Sequence, residues 1–322
     1  MIMTTYKIPS KCDNGGNVFK VAEMELLTKI DFIEMFSEID ESKEIDIVTY
    51  SFFDEEFVTN LLKGKKNVRV LLSSNYKKSS DYKTIIENAC LGADVKLTDK
   101  THAKIVLIAP DFVYLGSQNI GDSDWFQAGV LFKNDVVIYD YYKKIVDDFE
   151  KGKQLYNYHQ KSNTFIDSTK NNIKYKIPFV TDKPSIKINN IDVKFSTMLN
   201  WNQKFNGYHG RKIIVTTYSL PNYDYARTMI EKILNQGNQL TIYANDISSS
   251  ILKKLSEEFP ELSYMTFPNL HSKMILVEEN IVWLSSQNFG TSTWFENTIN
   301  IKSKEAYRYF YNRLNEYISM YL

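Results

Sequence analysis

The feature that most constrains this chain is that it repeats itself. His102 and His271 stand 169 positions apart (271 − 102), and Lys104 and Lys273 keep the same offset. So do Ser117 and Ser286, Gln118 and Gln287, Asn119 and Asn288, and the pairs Trp125-Phe126 and Trp294-Phe295. Upstream, Thr49-Tyr50-Ser51 and Thr217-Tyr218-Ser219 match at 168. A period this long excludes a solenoid and implies a duplicated domain. The fold must therefore be one that a chain can make twice.

Each copy reads as strands alternating with helices. In the first, EIDIVTYSF (44–52) and NVRVLLSS (67–74) are β-rich runs, and ADVKL is a short third strand. DEEFVTNLLKG (54–64) and SDYKTIIENACLG (80–92) have helical spacing and end at glycine. AKIVLIA and FVYLGS predict a strand pair turning at Ala-Pro-Asp, and YYKKIVDDFEKG (141–152) closes the copy as a helix. The second copy repeats this order and ends in the helix EAYRYFYNRLNEYI. The expected fold is α/β, with each copy a mixed sheet flanked by helices. Boundaries are expected at 1–156 for the first repeat, 157–206 for a connector with inserted strands and no partner in the first copy, and 207–322 for the second repeat.

With 322 residues and 43% apolar side chains, the chain can bury sizeable cores and is not a disordered or collagen-like sequence. Lys+Arg and Asp+Glu are both 39, so any basic surface must be local. Two cysteines, Cys12 and Cys90, form no disulfide framework and have no metal-ligand spacing. The N-terminus has no signal-peptide pattern, and no apolar run reaches the ~18 residues of a membrane span. The expectation is a soluble, cytoplasmic protein.

Histidine two before lysine on a strand puts both side chains on one face. Imidazole suits proton transfer or nucleophilic attack near neutral pH, lysine supplies positive charge, and Asn and Ser can contact phosphate oxygens. Two such sets facing each other would surround one phosphodiester. One histidine could attack phosphorus and the other protonate the leaving oxygen, with no metal or other cofactor required. A lone His-x-Lys is usually a satisfied polar pair; two copies in register, each followed by Ser-Gln-Asn, outweigh that reading. For Trp125-Phe126 and Trp294-Phe295, core packing is the expected role and stacking on bases or a tyrosyl group the alternative. KGKKNVR (63–69) with Lys77-Lys78 is read as a solvated turn rather than a phosphate patch, His209 as a loop histidine, and His159 carries no pattern.

The paired motifs resemble the phospholipase D superfamily, whose hallmark is two His-x-Lys motifs each followed by Gly/Ser-Ser-x-Asn. Here these are His102-x-Lys104 with GSQN and His271-x-Lys273 with SSQN. The aspartate that many members carry five residues past the lysine is replaced by Ala109 and Glu278. The pattern is nearest the nuclease and tyrosyl-DNA phosphodiesterase branches, and fits those, such as tyrosyl-DNA phosphodiesterase, where that aspartate is missing.

The resemblance implies two phospholipase D-like domains forming a pseudo-dimer, and a metal-independent phosphodiesterase working through a phosphohistidine. Its catalytic set would be His102, Lys104, Asn119, His271, Lys273 and Asn288, supported by Ser117, Gln127, Ser286 and Glu296. In that family a carboxylate or amide near positions 127 and 296 holds a motif histidine. With Gln127 orienting a neutral His102 and Glu296 raising the pKa of His271, His102 is expected to attack and His271 to protonate the leaving group. The reversed roles remain an alternative. The expected partner is nucleic acid, DNA foremost, with no membrane, and a monomer suffices for a complete site. Competing readings are a phospholipase or phosphatidyl transferase acting on lipid, and a phosphate-binding module without activity.

Overall fold

The computed structural model describes residues 6–7, 23–52, 54–75, 84–90, 92–98, 100–121, 124–152, 155–159, 164–167, 185–188, 191–197 and 201–322. Cys12, Lys77-Lys78 and the start of the helix expected at 80–92 lie outside these. Among the described residues the chain forms one sheet of ten strands and one of eight.

Both sheets have the same plan. In the first, Glu44–Thr49 is central, with Asn67–Ser73 and then Asp94–Thr98 parallel to it on one side. On its other side run Ile105–Ile108, Phe112–Gly116, Gly129–Lys133, Glu23–Leu27 and Tyr6–Lys7, all antiparallel. In the second, Lys212–Thr217 is central, with Gln239–Asn245 and Ser263–Phe267 parallel beside it. Met274–Val277, Ile281–Ser285, Thr298–Lys302, Ile191–Ser196 and Ser185–Ile188 follow antiparallel on the other side.

This order corrects one expectation about the stretch 157–206. Strands Ile191–Ser196 and Ser185–Ile188 occupy the places that Glu23–Leu27 and Tyr6–Lys7 hold in the first sheet, so part of this stretch does have a partner there. The correspondence is invisible in sequence because EMELL and IDVKFS share only strand-forming character. Leu155–His159 and Thr164–Asp167 extend the first sheet beyond Asp94–Thr98.

Parallel neighbours require crossovers, and amphipathic helices supply them. Glu55–Leu62 starts at Asp54, whose side chain accepts from Phe57 N, and buries Phe57, Val58, Leu61 and Leu62. Tyr223–Asn235 starts at Asn222 and buries Ala226, Met229, Ile230 and Ile233. Of the helix expected at 80–92, the described part is a π-turn over Ile85–Ala89. Cys90 beside it is buried, which pushes its thiol up to about 12.

Both faces of each sheet are covered, which is why the central strands read as unbroken apolar runs. Ile105 and Leu107 face one core, Val106 and Ile108 another. Met274 and Leu276, and Ile275 and Val277, divide in the same way. The core facing Ile105 and Met274 is shared by the two copies. It takes in Tyr142 and Phe149 from the helix Val136–Gly152 and Phe310 and Leu314 from the helix Lys304–Ser319. Phe149 of the first copy packs on Phe295 of the second at 4.4 Å between ring centroids.

Phe149→Ala would empty a fully buried site in this shared core, a change that costs about 3–5 kcal/mol. We expect urea unfolding to stay a single transition at a lower midpoint. Two separate transitions in the wild-type protein would show that the halves do not share a cooperative core.

Candidate active site

The repeated residues converge where the two copies meet. Each His-x-Lys lies just ahead of its strand rather than on it, because its backbone is engaged by the other copy. His102 N and Ala103 N donate to Phe295 O, both at 2.9 Å. Reciprocally, His271 N and Ser272 N donate to Phe126 O at 3.0 and 2.9 Å. Phe126 and Phe295 are buried, as core packing requires.

Side chains continue the exchange. His102 Nδ1 lies 3.1 Å from Glu296 Oε2, and His271 Nδ1 lies 3.0 Å from Gln127 Oε1. Each histidine is thus oriented by the opposite copy. This overturns the expected pairing of Gln127 with His102 and of Glu296 with His271. A fixed offset identifies equivalent positions but not which copy a side chain reaches into.

The serines also differ from expectation. Ser117 Oγ donates to Gln127 Oε1 at 2.9 Å and accepts from Ala128 N at 3.0 Å. Ser286 Oγ donates to Glu296 Oε2 and accepts from Asn297 N at 3.0 Å. Both hydroxyls are fully buried and spent on orienting Gln127 and Glu296, so neither is available to a phosphate. The Gly-for-Ser difference between GSQN and SSQN has a steric cause. A Cβ at Gly116 would collide with the Tyr114 hydroxyl, whereas Ser285 Oγ finds Thr298 Oγ1 at 2.8 Å.

Both lysines are buried behind the histidines. Lys104 Nζ donates to His102 O at 2.5 Å and Lys273 Nζ to His271 O at 2.7 Å, and Lys273 Nζ is 3.1 Å from each ring nitrogen of His271. Burial holds Lys104 down at about 7, even with Glu296 raising it. Burial and the charge of Lys104 hold Lys273 well below its ordinary value.

Burial would push Glu296 up, but His102, Lys104 and Ser286 together hold it at about 2. His102 is lowered by burial and Lys104, with Glu296 opposing. His271 is lowered well below 6.5 by burial, Lys273, Lys104 and His102, and has no carboxylate to oppose them.

His102, His271, Asn119 and Asn288 line one cavity of about 750 Å³, adjoined by a lobe of about 560 Å³ beside His271, Phe52 and Ile120. The Oδ1 atoms of Asn119 and Asn288 are buried and have no hydrogen-bond partner among the described residues. The repeated Thr-Tyr-Ser also has a place. Thr49 Oγ1 accepts from Ile120 N at 3.4 Å and Thr217 Oγ1 from Phe289 N at 2.9 Å, pinning the loops after each Asn. Tyr50 and Tyr218 face the histidines, at 5.4 and 4.9 Å between ring centroids.

Three further residues shape the site without a signal in the repeat. Asn297 stands where the first copy has Ala128; its Oδ1 accepts from Lys104 N at 2.8 Å, and its Nδ2 donates to Gly116 O at 3.2 Å. Trp201 Nε1 donates to Asn288 O at 2.7 Å. Lys204 Nζ reaches Gln287 Oε1 at 3.2 Å and Ser285 Oγ at 3.3 Å. In the first copy Ile30 N and O do the equivalent work, holding the amide of Gln118. His209 is exposed, and the run at 63–69 begins strand Asn67–Ser73 at the end remote from Tyr50, so neither belongs to the site.

Residues 35–152 match the family described as "Cardiolipin synthase, PLD-like domain". That stretch, most of the first copy, is similar to a phospholipase D-like domain. Phosphatidylserine synthase of Haemophilus influenzae Rd KW20 has a similar structure, at 14% identity and a TM-score of 0.59, over 88% of this chain and 83% of that one. A mutant of yeast tyrosyl-DNA phosphodiesterase is similar at 8% identity and a TM-score of 0.50, over 88% of each chain. Polyphosphate kinase of Porphyromonas gingivalis is similar at 12% identity and a TM-score of 0.52, over 87% of this chain and 44% of that one. No curated protein matches the sequence significantly. These likenesses establish the two-domain fold that this chain shares with them. Its neighbours carry different chemistries, so the fold does not choose the substrate. Among the described residues no helix is long and apolar enough to cross a membrane.

A site with buried lysines should bind anions while they are charged. Lys104 is charged below about 7, so anion affinity is present below that pH and lost above it. Sulfate, a dianion throughout, is expected to raise the melting temperature more at about pH 6 than at about pH 8 at matched ionic strength. Lys104→Met should blunt the effect. A stabilisation that grows with pH would contradict this placement of the charges.

Proposed function

We propose that this chain is a phosphodiesterase acting on nucleic acid, a nuclease or DNA-end-processing enzyme that needs no metal and passes through a phosphohistidine. The observation that carries this reading is the crossed pairing. Two histidines open on one cavity, one held by a carboxylate and the other by an amide.

Glu296 is ionised and can only accept, so His102 carries its proton on Nδ1 and leaves Nε2 with a free lone pair. Attack of Nε2 on phosphorus forms a P–N bond and leaves the ring cationic, a charge that Glu296 stabilises. Asp plays that part for the imidazolium of a Ser-His-Asp triad. His271 lies in surroundings that favour its neutral form, so once protonated it gives its proton readily to the leaving oxygen as the P–O bond breaks. Neutral His271 then takes a proton from water, the hydroxide attacks phosphorus, and the P–N bond to His102 breaks. The pentacoordinate phosphorus carries two negative charges, and Lys104 and Lys273 supply compensating positive charge from buried positions. Each histidine thus stands where the state it reaches, not the state it starts from, is stabilised. The proposal keeps His102 as nucleophile and His271 as acid, now argued from exchanged orienting partners.

Labelled single- and double-stranded DNA and RNA, incubated in EDTA beside phosphatidylcholine vesicles, test the proposal. Cleavage of nucleic acid is expected, falling about a thousandfold or more in His102→Ala and in His271→Ala. Loss of turnover in EDTA would refute the mechanism. Turnover of lipid alone would move the substrate to the lipid reading.

The pH profile tests the roles. Both motif histidines are pushed below 6.5, so the optimum of kcat/KM is expected on the acid side of that value. Gln127→Glu would set a carboxylate beside His271 and raise its pKa, moving the alkaline limb upward by about one unit or more. An alkaline limb that stays put while the acid limb moves would reverse the assignment.

A further inference from the structure

The cavity walls carry an arrangement that the phosphoryl chemistry does not use. Beside His102, Tyr50 of the first copy and Trp294 of the second lie nearly parallel, 20° apart with centroids at 6.2 Å. Both stand steeply to the His102 ring, at 74° and 75°. Beside His271 the arrangement recurs with the copies exchanged, Tyr218 and Trp125 being 29° apart at 5.8 Å. All four rings line the cavity of about 750 Å³ that holds the histidines. The neighbouring Phe295 is fully buried, whereas Trp125 and Trp294 are only partly so. Core packing, the expected role, fits the phenylalanines and leaves the tryptophans unexplained.

We propose that the two Tyr-Trp pairs are stacking platforms for unpaired bases, one on each side of the scissile phosphate, and that the substrate is therefore single-stranded nucleic acid. The proposal rests on the nucleic-acid reading above and narrows it. Aromatic rings accept any base, because each base presents a π face. Bases within a duplex already stack on one another and cannot reach the rings.

Clustered aromatic rings also suit a quaternary ammonium headgroup. Here, however, the ammonium of Lys104 lies 5.9 Å from the Tyr50 ring centroid and that of Lys273 lies 5.5 Å from that of Tyr218. A cationic headgroup would meet like charge behind each tyrosine, and a neutral base would not. His271 stands beside Trp125, so that platform takes the leaving nucleotide. Trp294 takes the nucleotide that stays on phosphorus.

The test uses single-stranded oligonucleotides whose only cleavable linkage is one central phosphodiester, the others being methylphosphonates. The sugar on one side or the other of that linkage carries a base or is abasic, and kcat/KM is read in EDTA. Each abasic substitution is expected to lower kcat/KM about tenfold. Trp125→Leu should erase the penalty on the leaving side and Trp294→Leu the penalty on the other, while tryptophan-to-phenylalanine variants retain it. Equal cleavage with and without bases would overturn the platforms and leave the nuclease reading standing. Penalties that persist unchanged in the leucine variants would overturn the assignment of these rings. Hydrolysis of bis(4-nitrophenyl) phosphate with no cleavage of any oligonucleotide would overturn the nucleic-acid reading and the platforms together.

Discussion

The site depends on an exchange of backbone between the two copies. Phe126 O and Phe295 O each accept two N–H groups from the opposite His-x-Lys segment. Those carbonyls stand next to Gln127 and Glu296, so fixing them fixes both orienting side chains against the opposite histidines. The phenyl rings of the same residues are anchored in the shared core, Phe295 on Phe149 and Phe126 on Tyr317 at 4.9 Å. Packing between the copies and orientation of the histidines are therefore one constraint. Neither copy can present an oriented histidine alone, since the partner for its Nδ1 belongs to the other.

Bringing the copies together concentrates charge in buried positions. Lys104, Lys204 and Lys273 are buried around a single buried carboxylate, Glu296. Burying unpaired ammonium groups is unfavourable, and the depressed pKa values of all three lysines express that cost. An anion in the cavity would relieve it by restoring the charged forms. The destabilisation is thus informative: a site strained by excess positive charge is complementary to a substrate whose negative charge grows during reaction.

Much of this was legible in the sequence. The strand runs and the His-Lys-Asn set are local patterns, and the constant offset marked them as equivalent. Ile105–Ile108 and Met274–Val277 reveal themselves because strands buried on both faces become continuous apolar runs. What failed to show were properties of the pairing between copies. Offset equates Gln127 with Glu296 but cannot say that each crosses over. Ser117 and Ser286 look like phosphate contacts until their hydroxyls are seen holding Gln127 and Glu296. The strands Glu23–Leu27 and Ile191–Ser196 are equivalent in space without shared residues, because a sheet position constrains pattern more than identity.

Where the copies depart from symmetry, they do so around the two histidines. Ala128 in the first copy is Asn297 in the second, and that amide ties Lys104 N to the carbonyl of Gly116. Main-chain groups of Ile30 brace the first Ser-Gln-Asn loop, whereas Trp201 and the charged Lys204 brace the second. Glu296 replaces Gln127, and its charge falls on His102. All three differences alter electrostatics or positioning while leaving the backbone plan intact. A symmetric dimer of one domain would give two identical histidines, each obliged to serve as nucleophile and acid by turns. Duplication within one chain lets the two environments diverge, so that a carboxylate faces one imidazole and a neutral amide the other, the asymmetry on which the proposed division of roles rests.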